Sequence, residues 1–319
     1  MLNALKFCAG SVAKKDFVAA LTHFAIENGR VRGFNGTLAL SSPIPFDVTC
    51  KPKADILIKA IANCEDTVQL ALTGAGRLSV KSGVFKAFVN CVEGDTPHVE
   101  PDGAVVNFDG AALLEGIKQV ASFVGEDASR LWAQGVLIKD KSLFATNNII
   151  LVQYWLGVDF PHIVNIPRAA IKEMLRINEP PLFAQVAENS ITFHYEGERW
   201  LRTQLYSTEW PDLSKILDKP FTPFPIDDRI FAGLEVIKPF LDKQETVHFK
   251  DAHVATSLEE GEGASYYVPD LQWDGKYNHT MLTLLKGVVE KIDWSTWPAP
   301  CLFTGGKNRL RGAIVGMRA

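Results

Sequence analysis

The sequence has little of what marks a metal, redox or catalytic centre. Its five cysteines, Cys8, Cys50, Cys64, Cys91 and Cys301, include no CxxC pair, and its seven histidines, His23, His98, His162, His194, His248, His253 and His279, include no HExxH. An odd number of widely spaced cysteines among apolar neighbours fits reduced thiols of an intracellular protein better than a disulfide framework. Neither a metal nor a cofactor is expected. Long apolar runs are also missing: stretches such as Ile149 to Val152 and Phe231 to Leu234 fall far short of the roughly 20 residues that cross a bilayer. Met1 to Ala13 carries Lys6 as its only charge and lacks the charged start and apolar middle of a secretory signal. A cytoplasmic protein without a membrane partner is expected. Finally, there is no excess of positive charge. A formal net charge of -4 argues against a chain whose whole surface coats nucleic acid, while leaving room for a local basic surface.

What is present is ample material for cores. The 319 residues, 47% hydrophobic and 22% charged, suffice for two or three globular domains. A repeat of domain size runs through them. Phe46 to Lys59 (FDVTCKPKADILIK) matches Phe160 to Lys172 (FPHIVNIPRAAIK), each an extended run followed by Pro, a basic residue, Ala and an amphipathic stretch. Pro52 and Pro167 are read as helix starts. Gly33 to Leu40 (GFNGTLAL) matches Phe144 to Val152 (FATNNIILV), with Asn-Gly or Asn-Asn at a hairpin turn. His279 to Ile292 (HTMLTLLKGVVEKI) is a fainter third copy.

These correspondences predict three α+β units, each with two helices packed on antiparallel sheets. The helices are placed at Lys14 to His23, Lys53 to Asn63, Asp109 to Val124, Arg168 to Asn178, Asp228 to Asp242 and His279 to Ile292. Proline-rich breaks at Pro97 to Gly103 and Pro220 to Pro225 divide the chain into 1-102, 103-218 and 219-319.

Three passages carry a resemblance to a known family. Ala145 to Val152 reads ATNNIILV where the family has ATDGHRLAV. Glu209 to Leu217 (EWPDLSKIL) is similar to its FPDYRRVLP, and Ala313 to Ala319 (AIVGMRA) to its terminal VVMPMRL. With the threefold repeat and the order of elements, the chain resembles the bacterial DNA polymerase III beta subunit, the beta sliding clamp, over essentially its whole length. It resembles a divergent member, bacterial or phage-encoded, working in a bacterial cell or a phage-infected host.

The resemblance implies three clamp domains per chain assembling as a head-to-tail homodimer into a ring around double-stranded DNA. Helices would line the hole and bind without sequence preference. It also implies a processivity role, in which the replicative DNA polymerase and the clamp loader bind an apolar pocket between the second and third domains. Carried over by position, that pocket comprises Thr146, Asn148, Ile149, Ile150, Leu151, Pro211, Lys215, Ile216, Ala313, Val315 and Met317. Ile149 and Ile150 replace the family's His-Arg pair, and Gly316 replaces its proline. The bland reading of Ile149 to Leu151 is a core strand.

The candidate DNA-facing cations are Lys14, Lys15, Lys53, Lys59, Lys118, Arg168, Lys172, Arg176, Lys286 and Lys291. Arg168, Lys172 and Arg176, four apart, share one helix face. The six helix spans carry a net +3 within a chain of -4, a segregation suited to weak, mobile, salt-sensitive phosphate contacts.

No catalytic constellation accompanies these features, and the chain reads as not an enzyme. Thr304 to Asn308 (TGGKN) lacks the first glycine of a phosphate loop and reads as a hairpin turn. Glu259, Glu260 and Glu262 read as an exposed acidic loop. Two other readings stay open: a clamp-fold adaptor or decoy that binds clamp-interacting proteins without encircling DNA, and an unrelated three-domain enzyme whose groups meet only in space.

Overall fold

The computed structural model describes residues 1–15, 18–65 and 67–318. The chain begins with α1 (Leu2–Cys8), followed by β1 (Ala25–Glu27), β2 (Arg30–Phe34), β3 (Leu38–Pro43), α2 (Ala54–Ala62), β4 (Gln69–Leu72), β5 (Arg77–Ser82) and β6 (Phe85–Asn90). Then come β7 (Ala104–Val106), α3 (Gly110–Val120), β8 (Gly135–Lys139), β9 (Ser142–Thr146), β10 (Ile150–Trp155), β11 (Val164–Pro167), α4 (Arg168–Ile177), β12 (Phe183–Val186), β13 (Ser190–Tyr195) and β14 (Arg199–Gln204). The last part holds α5 (Ser214–Leu217), β15 (Phe224–Pro225), α6 (Asp228–Ile237), β16 (Thr246–Lys250), β17 (His253–Ala255), β18 (Ser265–Tyr267), β19 (Gly275–Asn278), α7 (His279–Thr283), β20 (Val289–Ile292), β21 (Cys301–Gly305) and β22 (Leu310–Ile314).

A unit of several strands, one helix and three further strands recurs three times. Its closing parts are α2 with β4 to β6, α4 with β12 to β14, and α7 with β20 to β22. All strand pairs are antiparallel. Four sheets result. One runs β1-β2-β3-β14-β13-β12-β7, a second β11-β8-β9-β10-β22-β21-β20-β15, a third β18-β17-β16-β19 and a fourth β4-β5-β6. Each of the two long sheets therefore joins strands from two successive repeats, at β3–β14 and at β10–β22.

The strands fold into two compact units. One comprises Met1–Leu114 and Ala169–Tyr206, the other Glu115–Arg168 and Ser207–Ala319. The first has Leu5, Phe24, Val31, Leu40, Leu57, Leu78, Phe193 and Leu201 in its core; the second has Ile117, Val136, Leu143, Val152, Leu234, Phe249, Tyr277 and Phe303.

Four of the six expected helices stand where their apolar period placed them. The first and last do not. Lys14 and Lys15 lie in a bend, with a single 3-10 turn at Ala19–Thr22, while Asp16 and Phe17 fall outside the described residues. The helix of that repeat is α1, which buries Leu5, Phe7 and Cys8. At the other end, α7 stops at Thr283, and Gly287 (φ 72) turns the chain before Val289–Ile292, which is a strand. Glycine reaches that left-handed conformation without penalty, and two β-branched valines follow it. Pro52 and Pro167 also differ from expectation: each ends an extended segment just before its helix rather than occupying the first helical position. Pro167 lies on an edge strand, where the missing N–H costs nothing. The Thr304 to Asn308 passage forms the β21–β22 hairpin turn, with positive φ at Gly306, Lys307 and Asn308. No helix of the described residues is long and apolar enough to cross a membrane.

Candidate peptide-binding surface and cationic residues

The β9–β10 hairpin builds one side of the candidate pocket. Its turn is held by side chains: Asn147 Oδ1 accepts from the N–H groups of Ile149 (3.1 Å) and Ile150 (2.8 Å). Thr146 Oγ1 donates to Ile150 O (2.7 Å) and accepts from Asn148 N–H (3.0 Å). Asn148 takes φ 73, a conformation asparagine tolerates better than most residues, and its side-chain oxygen accepts from Arg130 (2.8 Å).

Beyond the turn, alternate residues of β10 point to opposite faces. Ile150 is fully buried on one face, whereas Leu151 (6% exposed) lies on the other, opposite Ala313 of β22, which in turn stands opposite Leu302 of β21. Leu151, Ala313, Leu302 and Leu217 form one buried cluster, with Trp210, Leu213, Ile216 and Phe221 packed partly exposed against it. The spacing of Leu213, Ile216 and Leu217 is that of one helix face. Arg311 secures this segment by donating to Leu217 O (3.4 Å) and pairing with Asp218 (3.0 Å), a basic group at a helix C-terminus. Trp210 meets Trp132 edge to face, with ring centroids 5.2 Å apart.

The C-terminal segment forms the other side. Val315 N–H donates to Ile149 O (2.9 Å), and Met317 N–H to Lys276 O (2.7 Å). Ile149 and Val315 are among the chain's exposed apolar residues, and Asn147 reaches the Met281 sulfur (3.2 Å). A Cβ at Gly316 would come within 2.5 Å of the Trp297 indole, so the ring occupies the space that a side chain there would need. Pro211 and Lys215 are exposed at the rim; Ala319, the end of the quoted terminal passage, lies outside the described residues.

The whole chain can be superposed on solved structures. The DNA polymerase sliding clamp of Bacillus subtilis matches with a TM-score of 0.83 at 15% identity, covering 100% of this chain and 97% of that one. The fold is that of the bacterial beta sliding clamp. The DNA polymerase III beta subunit of Pseudomonas aeruginosa matches at 0.82 and 18% identity. The sliding clamp of Bartonella birtlesii, solved bound to griselimycin, matches at 0.82 and 16%. Both cover 100% of this chain and 97% of their own. No protein-family model and no curated protein sequence matches the chain.

Within this clamp fold the candidate cations separate into three groups. Lys59, Lys118, Arg168, Lys172 and Arg176 stand on helices. Lys53 precedes α2 and donates to Thr22 (2.8 Å). Lys14, Lys15, Lys286 and Lys291 lie off helices, in bends, a turn and strand β20, correcting the expectation that helices carry them; all four are exposed. Of the helical group, Arg168 pairs with Glu126 and Lys59 with Asp55. Arg176 donates to the carbonyls of Lys6 (3.0 Å) and Phe7 (2.6 Å) and to the buried Glu173 through Nε (2.8 Å). It therefore closes the C-terminal end of α1. Among the described residues, Lys118 and Lys172 are exposed with no ion-pair partner.

The cluster also includes Leu302, Phe221, Trp210, Leu213 and Leu217, which residue-by-residue transfer of the family motifs did not name. The last three lie inside the quoted EWPDLSKIL passage, where the helical spacing of the leucines was a usable signal. Nothing local marks Leu302, whose place depends on β21–β22 register.

Proposed function

We propose that this chain is a sliding clamp: a non-enzymatic processivity factor that encircles double-stranded DNA and tethers a replicative polymerase, after placement by a clamp loader. The full-length likeness in fold to bacterial beta clamps carries the reading. The three repeats are taken as domains 1-102, 103-218 and 219-319, in a cytoplasmic homodimer. Peptide motifs of the polymerase and loader would bind the surface made by Ile149, Leu213, Ile216, Val315 and Met317 over the Leu151–Ala313 floor. Exposed aliphatic and thioether groups suit leucine or phenylalanine anchors.

Ring closure has a physical rationale in the sheets. Successive repeats join through equivalent edges, β3 with β14 and β10 with β22. The corresponding edges of the third and first repeats, β18 and β6, carry no second strand among the described residues. Pairing β18 of one copy with β6 of the next would be a head-to-tail contact that closes after two copies. Phe88 on β6 and Tyr267 on β18 are both about half exposed, and a charge at either would oppose closure.

The test is retention on circular DNA with a cognate loader. Protein that stays on a closed circle and leaves when the circle is cut supports encirclement; equal release from circular and linear DNA contradicts it. The adaptor reading draws on two observations: Arg176 is engaged within the fold, and five other candidate cations, Lys14, Lys15, Lys53, Lys286 and Lys291, lie off helices. It requires peptide binding without DNA retention.

A further inference from the structure

The sheet face that carries the Leu151–Ala313 floor continues past it within the second compact unit. Side chains two residues apart on a strand share a face, and so do residues paired directly across an antiparallel ladder. Leu151 is therefore followed on its own face by Gln153 and Trp155. Gln153 stands opposite Arg311 of β22 and Phe144 of β9; Trp155 stands opposite Ser142, which in turn faces Lys139 of β8. Trp155 N–H donates to Arg309 O (2.8 Å), and the Arg309 guanidinium lies 6.0 Å from the centre of the Trp155 ring. An open recess of about 700 Å³ at this end of the face has Lys139, Lys141, Phe144, Gln153, Trp155 and Ile163 in its lining. Trp155 and Ile163 are 51% and 67% exposed.

Four cations stand on or beside this stretch, and two of them are engaged. Lys141 pairs with Asp159 (3.5 Å), and Arg311 pairs with Asp218 (3.0 Å) and donates to Gln153 (2.7 Å). Lys139 and Arg309 are exposed and have no ion-pair partner among the described residues. We propose that this extension of the floor receives an acidic stretch flanking the apolar anchor of a partner's peptide, an inference that rests on the peptide-binding reading of the floor. A strand advances about 3.4 Å per residue, so Trp155 lies about 14 Å along β10 from Leu151. A peptide laid along β10 from an anchor over Leu151 would bring carboxylates two and four residues away beside Arg311 and then beside Arg309 and Lys139.

Single-stranded nucleic acid fits this face less well. Asp140 and Asp159 stand in the lining of the recess and Asp218 beside Arg311, and these acids oppose a continuous phosphate backbone, whereas the separate carboxylates of a peptide can meet Lys139 and Arg309 individually. The Trp155 ring offers apolar surface to the stems of the flanking side chains. Exposed ion pairs are individually weak and screened by salt, so two of them should tighten binding about fivefold at low ionic strength.

The experiment is fluorescence-anisotropy titration of the full chain with three synthetic peptides that share a Leu-Phe anchor. One carries aspartates two and four residues before the anchor, one carries them at those places after it, and one has serines instead. One acidic peptide should bind about fivefold more tightly than the serine peptide at low salt and lose that advantage at high salt. The double variant Lys139→Glu, Arg309→Glu should abolish the advantage while leaving the urea midpoint and the affinity for the serine peptide unchanged. Val315→Glu should remove binding of all three. Equal affinities for the three peptides, or an advantage that survives the double variant, would overturn the acidic-flank assignment and leave the peptide surface in place. No binding of any peptide, with no effect of Val315→Glu, would remove the peptide-binding reading and the acidic flank with it. Oligothymidylate that displaces the acidic peptide, and whose own binding is lost in the double variant, would reassign the face to single-stranded nucleic acid.

Discussion

Leu151 of β10 stands directly across the ladder from Ala313 of β22, and the two, 6% and 2% exposed, form the floor beneath Trp210, Leu213, Ile216 and Phe221. Floor and rim should respond differently to mutation. Leu151→Ala is expected to cost about 2–5 kcal/mol of stability, the range for truncating a buried leucine. Ile149→Glu and Val315→Glu, at exposed positions, should stay within about 0.5 kcal/mol yet abolish capture of a polymerase-derived peptide. Urea denaturation and peptide titration separate the two effects.

Arg176 and Lys172 lie one turn apart on α4 and are expected to do different work. Arg176→Ala removes three contacts and leaves Glu173 buried without its guanidinium, so a loss of about 1–3 kcal/mol is expected. Lys172→Ala should leave stability unchanged and weaken DNA association while reducing its salt dependence by about one phosphate contact. Thermal unfolding and salt-titrated DNA binding distinguish them.

Asp227 caps α6, accepting from Arg229 N–H at 2.9 Å. Its hydrogen bonds from the Arg229 side chain and backbone hold the carboxyl below the usual aspartate range. Asp227→Ala should cost about 1 kcal/mol near neutrality. Because the folded-state pKa is depressed, that contribution is complete above the ordinary value of about 3.9 and lost as pH falls below it. Mutant and parent unfolding curves should therefore converge at strongly acid pH.

Burial lowers the imidazole pKa of His23, His194 and His248. The unfolded chain consequently binds protons that the folded chain resists, and stability should be full above about pH 6.5 and decline below it. His194, stacked on Phe183 and hydrogen-bonded to Gln185 at 2.7 Å, is the group to replace. Denaturant midpoints of His194→Gln should depend less on pH between neutral and mildly acid conditions.

The parts of this molecule that were readable in its sequence are those governed by local rules. The apolar period of α4, the Asn147–Asn148 turn and the β12 to β14 alternation each encode their own conformation, and they align with the repeat. The failures have physical causes too. The span expected as a helix from Lys14 to His23 has only a 3-10 turn at Ala19–Thr22 among its described residues, and Ala13 N–H bonds to Leu21 O. The helix stops at Thr283, and Gly287 turns the chain so that Val289 and Ile292 serve a strand. Cluster residues outside the family motifs, above all Leu302, depend on which strands pair, and pairing between distant segments leaves no periodic trace. Arg176 shows the limit of reading charge by position: its place on a basic stripe was visible, its engagement with α1 was not.

The most direct test of the account is the solution mass by light scattering over a range of protein concentrations. A sliding clamp built from three such domains predicts a closed dimer near twice 35.2 kDa, reduced to monomer by Tyr267→Asp on the β18 edge. A strict monomer at high concentration would contradict the self-closing ring.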